Sequence, residues 1–474
     1  MHRRKFLYNI GMAGTGVMLG SNTVFAKSPD FPIVRVAKDK RNFTSSIIEA
    51  AIAEFQKNVK NKELTWLFAN CFPNTLDTTV FYSEEKGIPD TYVITGDIDA
   101  MWMRDSSAQV WPYMQFAGKD PKIHKLIAGV INRQKHYILE DPYANAFYKN
   151  DTQISEWESD LTDMKPGIHE RKWEIDSLCY PIRLAYNFWK ITGDTSPFDD
   201  KWENSVSTIY ETFIDQQKKT GDGKYHFQRK TENATDTQPM HGYGYPVNPI
   251  GLISSAFRPS DDATLYSFLI PSNFFAVKSL KQAAEMLRTV RKNEVLSSKL
   301  IVLATEVQSA LDKYATIVHP RFGKIYAFEI NGFGGVNPMD DANVPSLLSL
   351  PYLDSIDAND PIYQNTRKFV WSASNPFFYK GTVAEGIGGP HVAKDMIWPM
   401  SIIIKGLTSN DQEEIKSCIQ MLMRSHAGKG FMHESFNKDD ASKFSRSWFA
   451  WTNTLFGELL WKTYNNHLSL LNTI

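Results

Sequence analysis

Apolar side chains recur along most of this chain at the spacing of one helix face. Ile48, Ala51, Ile52, Phe55 and Val59 form one such stripe, and Leu178, Ile182, Ala185, Tyr186 and Trp189 form a second. Trp202, Val206, Ile209, Tyr210 and Phe213 form a third, after the loop Gly193-Asp194-Thr195-Ser196-Pro197, so the second and third stripes predict a helical hairpin. Further on, Pro271 opens a helix carrying Val277, Leu280, Ala284 and Leu287, and Asp411 caps one carrying Ile415, Cys418, Ile419 and Leu422. The stretch from Ser447 to Leu460 is apolar almost all round and predicts a deeply buried helix.

Strand signals are short. Lys224-Tyr225-His226-Phe227-Gln228 and Lys324-Ile325-Tyr326-Ala327-Phe328 are flanked by glycines and predict hairpins in loops. Strand and helix do not alternate along the chain. About a dozen helical segments in successive hairpins, undivided by a linker, predict an all-α toroid of paired helices, with two packed helical domains as the alternative. In a toroid the loops at one end build a concave pocket, where polar and aromatic residues should gather.

The first residues break the pattern. His2-Arg3-Arg4-Lys5-Phe6-Leu7 is basic with a twin arginine, Ile10 to Leu19 is mildly apolar and glycine-rich, and Val24-Phe25-Ala26 resembles a cleavage site. This predicts a twin-arginine signal peptide over residues 1–26, a mature single domain over 27–474, and a periplasmic bacterial product without a lipid-accepting cysteine. A membrane anchor is disfavoured because the apolar run is too short to cross about 30 Å. In a bacterium the Asn-x-Thr matches at Asn42, Asn150 and Asn233 would be chance.

Charge narrows the ligand. With 52 basic and 53 acidic residues the formal net charge is -1, which argues against nucleic acid or an anionic membrane as partner. Three cysteines without a CxxC pair indicate neither a disulfide framework nor a zinc site, and His169-Glu170 and His433-Glu434 lack metalloprotease spacing, so no metal or other cofactor is expected.

Chemistry concentrates in a few segments. Thr95-Gly96-Asp97-Ile98-Asp99-Ala100-Met101-Trp102-Met103-Arg104-Asp105 packs three acids, an arginine and a tryptophan together. Carboxylates and guanidinium groups grip sugar hydroxyls and an aromatic face covers the C–H side of a pyranose; the plainer reading is an ion pair of Arg104 with Asp99 or Asp105. Similar mixtures occur in Trp173-Glu174-Ile175-Asp176-Ser177, His241-Gly242-Tyr243-Gly244-Tyr245-Pro246, Phe257-Arg258-Pro259-Ser260-Asp261-Asp262, Asp341-Ala342-Asn343-Val344-Pro345, Gly388-Gly389-Pro390-His391 and Phe431-Met432-His433-Glu434-Ser435-Phe436. Singly, Glu174 or Asp176 reads equally as an acid at a helix N-terminus, Asn343 as a turn residue and His391 as a satisfied loop histidine. Together they read as a glycan-processing site.

Breaking a glycosidic bond needs one carboxylic acid to protonate the leaving oxygen and one carboxylate to act as base or nucleophile. Asp261 and Asp262 are neighbours whose side chains diverge, so one of them can aim at the bond, and the pattern does not choose between them. Glu434, far away in sequence, is a candidate to activate water from the opposite face.

These motifs resemble glycoside hydrolase family 125, the bacterial exo-α-1,6-mannosidases. Gly96 to Ser106, Phe257 to Asp262, Pro271-Ser272-Asn273 and His433-Glu434-Ser435-Phe436 carry the resemblance, which spans about Phe43 to Lys462. It implies an (α/α)6 barrel and a metal-independent, inverting enzyme that releases mannose from non-reducing ends of α-1,6-linked oligosaccharides. It further implies Asp261 as general acid and Glu434 as general base. Asp99, Arg104, Asp105, Glu174, Asp176, Arg258, Asn343, His391 and Arg446 are then expected in the sugar-binding shell, with Trp102 and Trp448 as ring platforms. Rival readings are a polysaccharide lyase or sugar epimerase on the same toroid, or a glycan-binding protein without catalysis.

Overall fold

The computed structural model describes residues 31–474; the expected signal peptide over 1–26 lies outside them. Val34 to Ile474 cluster as one unit, an (α/α)6 barrel. The helices Met103–Val110, Ile175–Thr192, Ile270–Met286, Pro399–Leu407 and Ala450–Leu471 line its inside, and Pro121–Glu140, Asp200–Gln216, Glu294–Tyr314, Pro361–Val370 and Gln412–Ser425 lie outside them. Burial separates the two rings. Every residue of Met103–Val110 is buried, whereas Glu294–Tyr314 buries only the stripe from Leu296 through Leu300, Leu303, Ala304 and Val307 to Leu311. An inner helix packs on all sides, so even the polar residues of Met103–Val110 are buried, while an outer one buries a single face.

The predicted boundaries follow local chemistry. Gly193 ends Ile175–Thr192 in the left-handed conformation, φ 72°. Pro271 sits in the first turn of Ile270–Met286, and the Asp411 side chain accepts from Glu413 N at the start of Gln412–Ser425. The buried C-terminal helix begins at Ala450, after the extended Phe449, rather than at Ser447.

The strands are short and belong to loops. Thr316–His319 pairs with Gly323–Tyr326, a hairpin at the second expected position. Lys224 to Gln228 differs from expectation: Gln228 makes one isolated bridge to Leu161 and the rest is irregular. The side chains there find other partners, since Tyr225 hydroxyl donates to Arg171 O and Phe227 N donates to Gly242 O, and the segment is held without a strand. A hairpin of Val80–Glu85 with Ile88–Val93 was not anticipated.

The inner helices direct their N-termini toward one end of the barrel. Short sheets set the chain's approach to that end. Met101–Trp102, Ala146–Phe147 and Ile168–Glu170 form one that leads into Met103, Phe268–Leu269 pairs with Glu329–Ile330 just before Ile270, and Phe436–Asn437 pairs with Asp440–Phe444 before Ala450.

Candidate active site

Arg104 is the centre of the polar end. It lies in the first turn of Met103–Val110 and is 3% exposed. Its Nη1 donates to Glu174 Oε2 at 2.6 Å and Asp176 Oδ2 at 3.2 Å, and its Nη2 donates to Asp261 Oδ1 at 3.4 Å. Asp105 Oδ2 stands 3.5 Å from Nε. Glu174 is the residue preceding Ile175–Thr192 and Asp176 lies in that helix's first turn, so both acids also meet the positive end of a helix dipole.

One guanidinium faces four carboxylates, and their mutual repulsion in a water-poor site opposes full ionisation. Burial raises the carboxyl of Asp105, with Arg104 only partly offsetting it. Burial likewise raises Glu174 and Asp176, again against the pull of Arg104. Glu174 Oε1 and Asp176 Oδ1 have no hydrogen-bond partner. Each acid thus gives one oxygen to Arg104 and leaves the other buried without a partner.

Asp261 and Asp262 part company at a tight turn. Asp261 has φ 67°, held by Asp261 N to Arg258 O at 2.9 Å and Arg258 N to Asp262 O at 2.8 Å. Asp261 reaches Arg104 with 15% of its side chain exposed. Asp262 turns inward, 2% exposed, where Ser260 Oγ donates to it at 3.4 Å and His391 Nδ1 lies 3.7 Å away. Burial acts against the charge on Asp262, but His391 and the other donors outweigh it and hold the carboxyl below its ordinary range. Burial likewise opposes charge on His391, and Asp262 prevails, raising the imidazole to about 9. Glu434 and Asp261 act on the same imidazole in the same direction. The contact of His391 is with Asp262, not Asp261.

Glu434 sits in a different setting. Ser445 Oγ donates to its Oε2 at 2.8 Å and Arg446 Nη1 to its Oε1 at 3.3 Å. Arg446 also pairs with Asp97. Beside it, Gly96 has φ 122°, a conformation that favours glycine, and its backbone packs on the half-buried Trp448 ring.

Other expected residues fall elsewhere. Asp99 is exposed and interacts with Tyr92, apart from the Arg104 cluster, so the Arg104 to Asp99 pairing does not form. Trp102 is 4% exposed and packs with Ala100, Ala146 and the edge of His169, a core position rather than a ring platform. Arg258 gives its Nε to Glu329 Oε1 at 2.6 Å, and Asn343 N and Nδ2 both donate to Asp341 Oδ1. Lys172, Ser445 and Glu329 were missed. Lys172 alone carried a legible signal: it stands two residues before Glu174 in an extended run, where alternate side chains share a face.

A family described as metal-independent alpha-mannosidase (GH125) matches residues 61–461. The chain belongs to that family. GH125 membership makes it a glycosidase and sets the lyase, epimerase and non-catalytic readings aside. A Streptococcus pneumoniae structure of a metal-independent α-mannosidase, in a non-productive complex with α-1,6-mannobiose, is 39% identical. It covers 90% of this chain and 100% of its own, with a TM-score of 0.86. A bacterial glucoamylase complexed with acarbose shares the fold alone, at 12% identity and TM-score 0.53 over 88% of this chain and 58% of its own.

The meiotically up-regulated gene 157 protein of the fission yeast Schizosaccharomyces pombe is 41% identical over 448 residues, 90% of this chain and 88% of the relative. This GH125 kinship corrects the expectation of a periplasmic bacterial protein. A basic stretch before a short apolar run is a generic pattern, and it does not by itself identify a bacterial export signal. The dismissal of the Asn-x-Thr matches loses its ground with it.

Proposed function

We propose that this GH125 member is an inverting exo-α-1,6-mannosidase in which Asp261 is the general acid and Glu434 the general base. The observation that carries the assignment is the placement of Asp261 on the Arg104 cluster while Asp262 turns away to His391, with Glu434 held apart from both by Ser445 and Arg446. The mannobiose complex of the Streptococcus pneumoniae relative supports the linkage.

In this reading the terminal mannose rests on Arg104, Asp105, Glu174 and Asp176, and the unpartnered oxygens of Glu174 and Asp176 turn to its hydroxyls. Asp261 gives its proton to the glycosidic oxygen as that atom keeps the electron pair of the breaking C1–O bond. Water attacks C1 from the other face and loses its proton to Glu434, so mannose leaves as the β-anomer. Asp262 is excluded as the acid by its inward turn and its charge pair with His391. Glu434, with a hydroxyl and a guanidinium donating to its two oxygens, is suited to remain ionised.

Exo action follows from a blocked axis. Below Arg104 lies the buried Trp451 ring, 5.9 Å from its guanidinium carbon. Further along Ile175–Thr192, Arg183 stacks 3.4 Å from the Trp111 ring and 5.0 Å from Tyr352, and Glu458 accepts from both Trp111 Nε1 and the Tyr352 hydroxyl. A glycan cannot thread past these side chains, so a chain end enters and one residue leaves.

The test is product release from mannobioses of each linkage. Mannose from the α-1,6 isomer, with the α-1,2 and α-1,3 isomers cleaved far more slowly, is the expected pattern. Faster cleavage of another linkage would overturn the specificity.

A further inference from the structure

We infer that Lys172 is a positioning residue that holds the Asp261 acid in its working orientation through the backbone; this rests on the assignment of Asp261 above. Lys172 is buried at the end of the extended run that also presents Glu174, with Trp173 between them turned into the core. Its ammonium lies 2.6 Å from Asp236 Oδ1, 3.0 Å from the Asp261 carbonyl oxygen and 3.4 Å from Glu170 Oε1. The ammonium thus donates to Asp236 and to the Asp261 carbonyl and is ion-paired with Glu170.

The lysine is itself anchored. Arg229 donates to Asp160 through two nitrogens, at 2.9 and 2.6 Å, to Glu170 at 3.0 Å and to Asp236 at 3.3 Å. Lys172 and Arg229 therefore lie among Glu170, Asp160 and Asp236 in a second ionic cluster that reaches the backbone of Asp261, while Arg104 reaches its carboxyl. The Lys172 chain also runs under the Phe257 ring, 5.2 Å from its centroid, where Phe257 bridges Ala263 to close the turn.

The need for such an anchor lies in Asp261's backbone. A non-glycine residue at φ 67° is strained and persists only where its surroundings enforce it. Two backbone hydrogen bonds shape the turn, and the Lys172 ammonium fixes the orientation of the Asp261 peptide carbonyl. Without that donor the Asp261–Asp262 peptide can rotate about the Cα–C bond of Asp261, the turn that enforces the positive φ loosens, and the carboxyl swings away from Arg104 and the leaving oxygen.

The test separates proton delivery from folding by varying the leaving group. Lys172→Met and Asp261→Asn are compared on α-1,6-mannobiose, which needs a proton on its leaving oxygen, and on 2,4-dinitrophenyl α-mannoside, which needs none. For Lys172→Met the expected kcat falls about 100-fold on mannobiose, the scale of an ångström-level misplacement, with KM changed little. On the dinitrophenyl substrate the expected fall is less than about threefold, because acid catalysis contributes little there. Asp236→Asn, which removes the ammonium's shortest contact, should show the same divergence in smaller degree, and it decides the matter if Lys172→Met does not fold. Equal losses on both substrates in the folded variant, beside a divergence in Asp261→Asn, would overturn the role of Lys172 alone. Equal losses in Asp261→Asn would overturn the acid assignment, and the inference with it.

Discussion

The two walls of the cleft treat their carboxylates in opposite ways. Around Arg104, Asp105, Glu174, Asp176 and Asp261 compete for one guanidinium, and two of them keep an oxygen without a partner. Across the cleft, Glu434 has a donor on each oxygen, from Ser445 and Arg446, and Arg446 is itself held by Asp97. On the first wall burial works against charge on Asp105, Glu174 and Asp176, and on the second each carboxylate oxygen has its donor. A glycosidase that inverts needs this asymmetry, since one carboxyl must give a proton while the other takes one.

The largest effect expected is loss of either partner in that exchange. Asp261→Asn and Glu434→Gln should each lower kcat on α-1,6-mannobiose by about 10²–10⁴-fold with the thermal melting temperature little changed; unchanged turnover in either would remove the contrast between the walls. Next comes Arg104→Met, which leaves buried acids without their cation. A destabilisation of about 3–5 kcal/mol is expected near neutral pH, read by denaturant unfolding and easing as the pH is lowered and the acids take up protons.

Asp262→Asn tests the pair behind the acid. His391, raised to about 9 from an ordinary 6.5, contributes stability that is complete below 6.5 and is lost as the pH rises through 9. Asp262, lowered from 3.8, contributes above that value and loses its share as the pH falls through its lower folded value. The difference in unfolding free energy between wild type and Asp262→Asn should therefore be largest between pH 4 and 6.5 and shrink by pH 9. The smallest effect belongs to the sugar platform. Trp448→Ala should raise KM by about 5–10-fold, the loss of about 1 kcal/mol of stacking, with kcat nearly constant.

Periodicity revealed the helices because an inner or outer helix repeats one demand every turn. Ile48 through Val59 and Ile415 through Leu422 are buried at the positions their spacing indicates. Lys224 to Gln228 carried the alternation of a strand, yet its hydrogen bonds go to Arg171 and Gly242, partners that only the assembled loops supply. The site was legible as clusters and much less as contacts. The adjacency of Asp261 and Asp262 hid which would turn inward until the positive φ at Asp261 was seen. Asp99 and Trp102, close to Arg104 in sequence, lie outside its cluster, whereas Glu174 and Asp176 reach it from another helix. Lys172 was passed over because a lysine next to an acidic segment reads as a solvated charge, although its spacing from Glu174 pointed to a shared face.

The asymmetry of the walls is tested most directly by the anomer first formed. Proton NMR of α-1,6-mannobiose during the opening minutes of turnover should show β-mannose accumulating ahead of mutarotation. Appearance of α-mannose first would mean that a carboxylate attacks C1 and would contradict the division into a proton-giving Asp261 wall and a water-activating Glu434 wall.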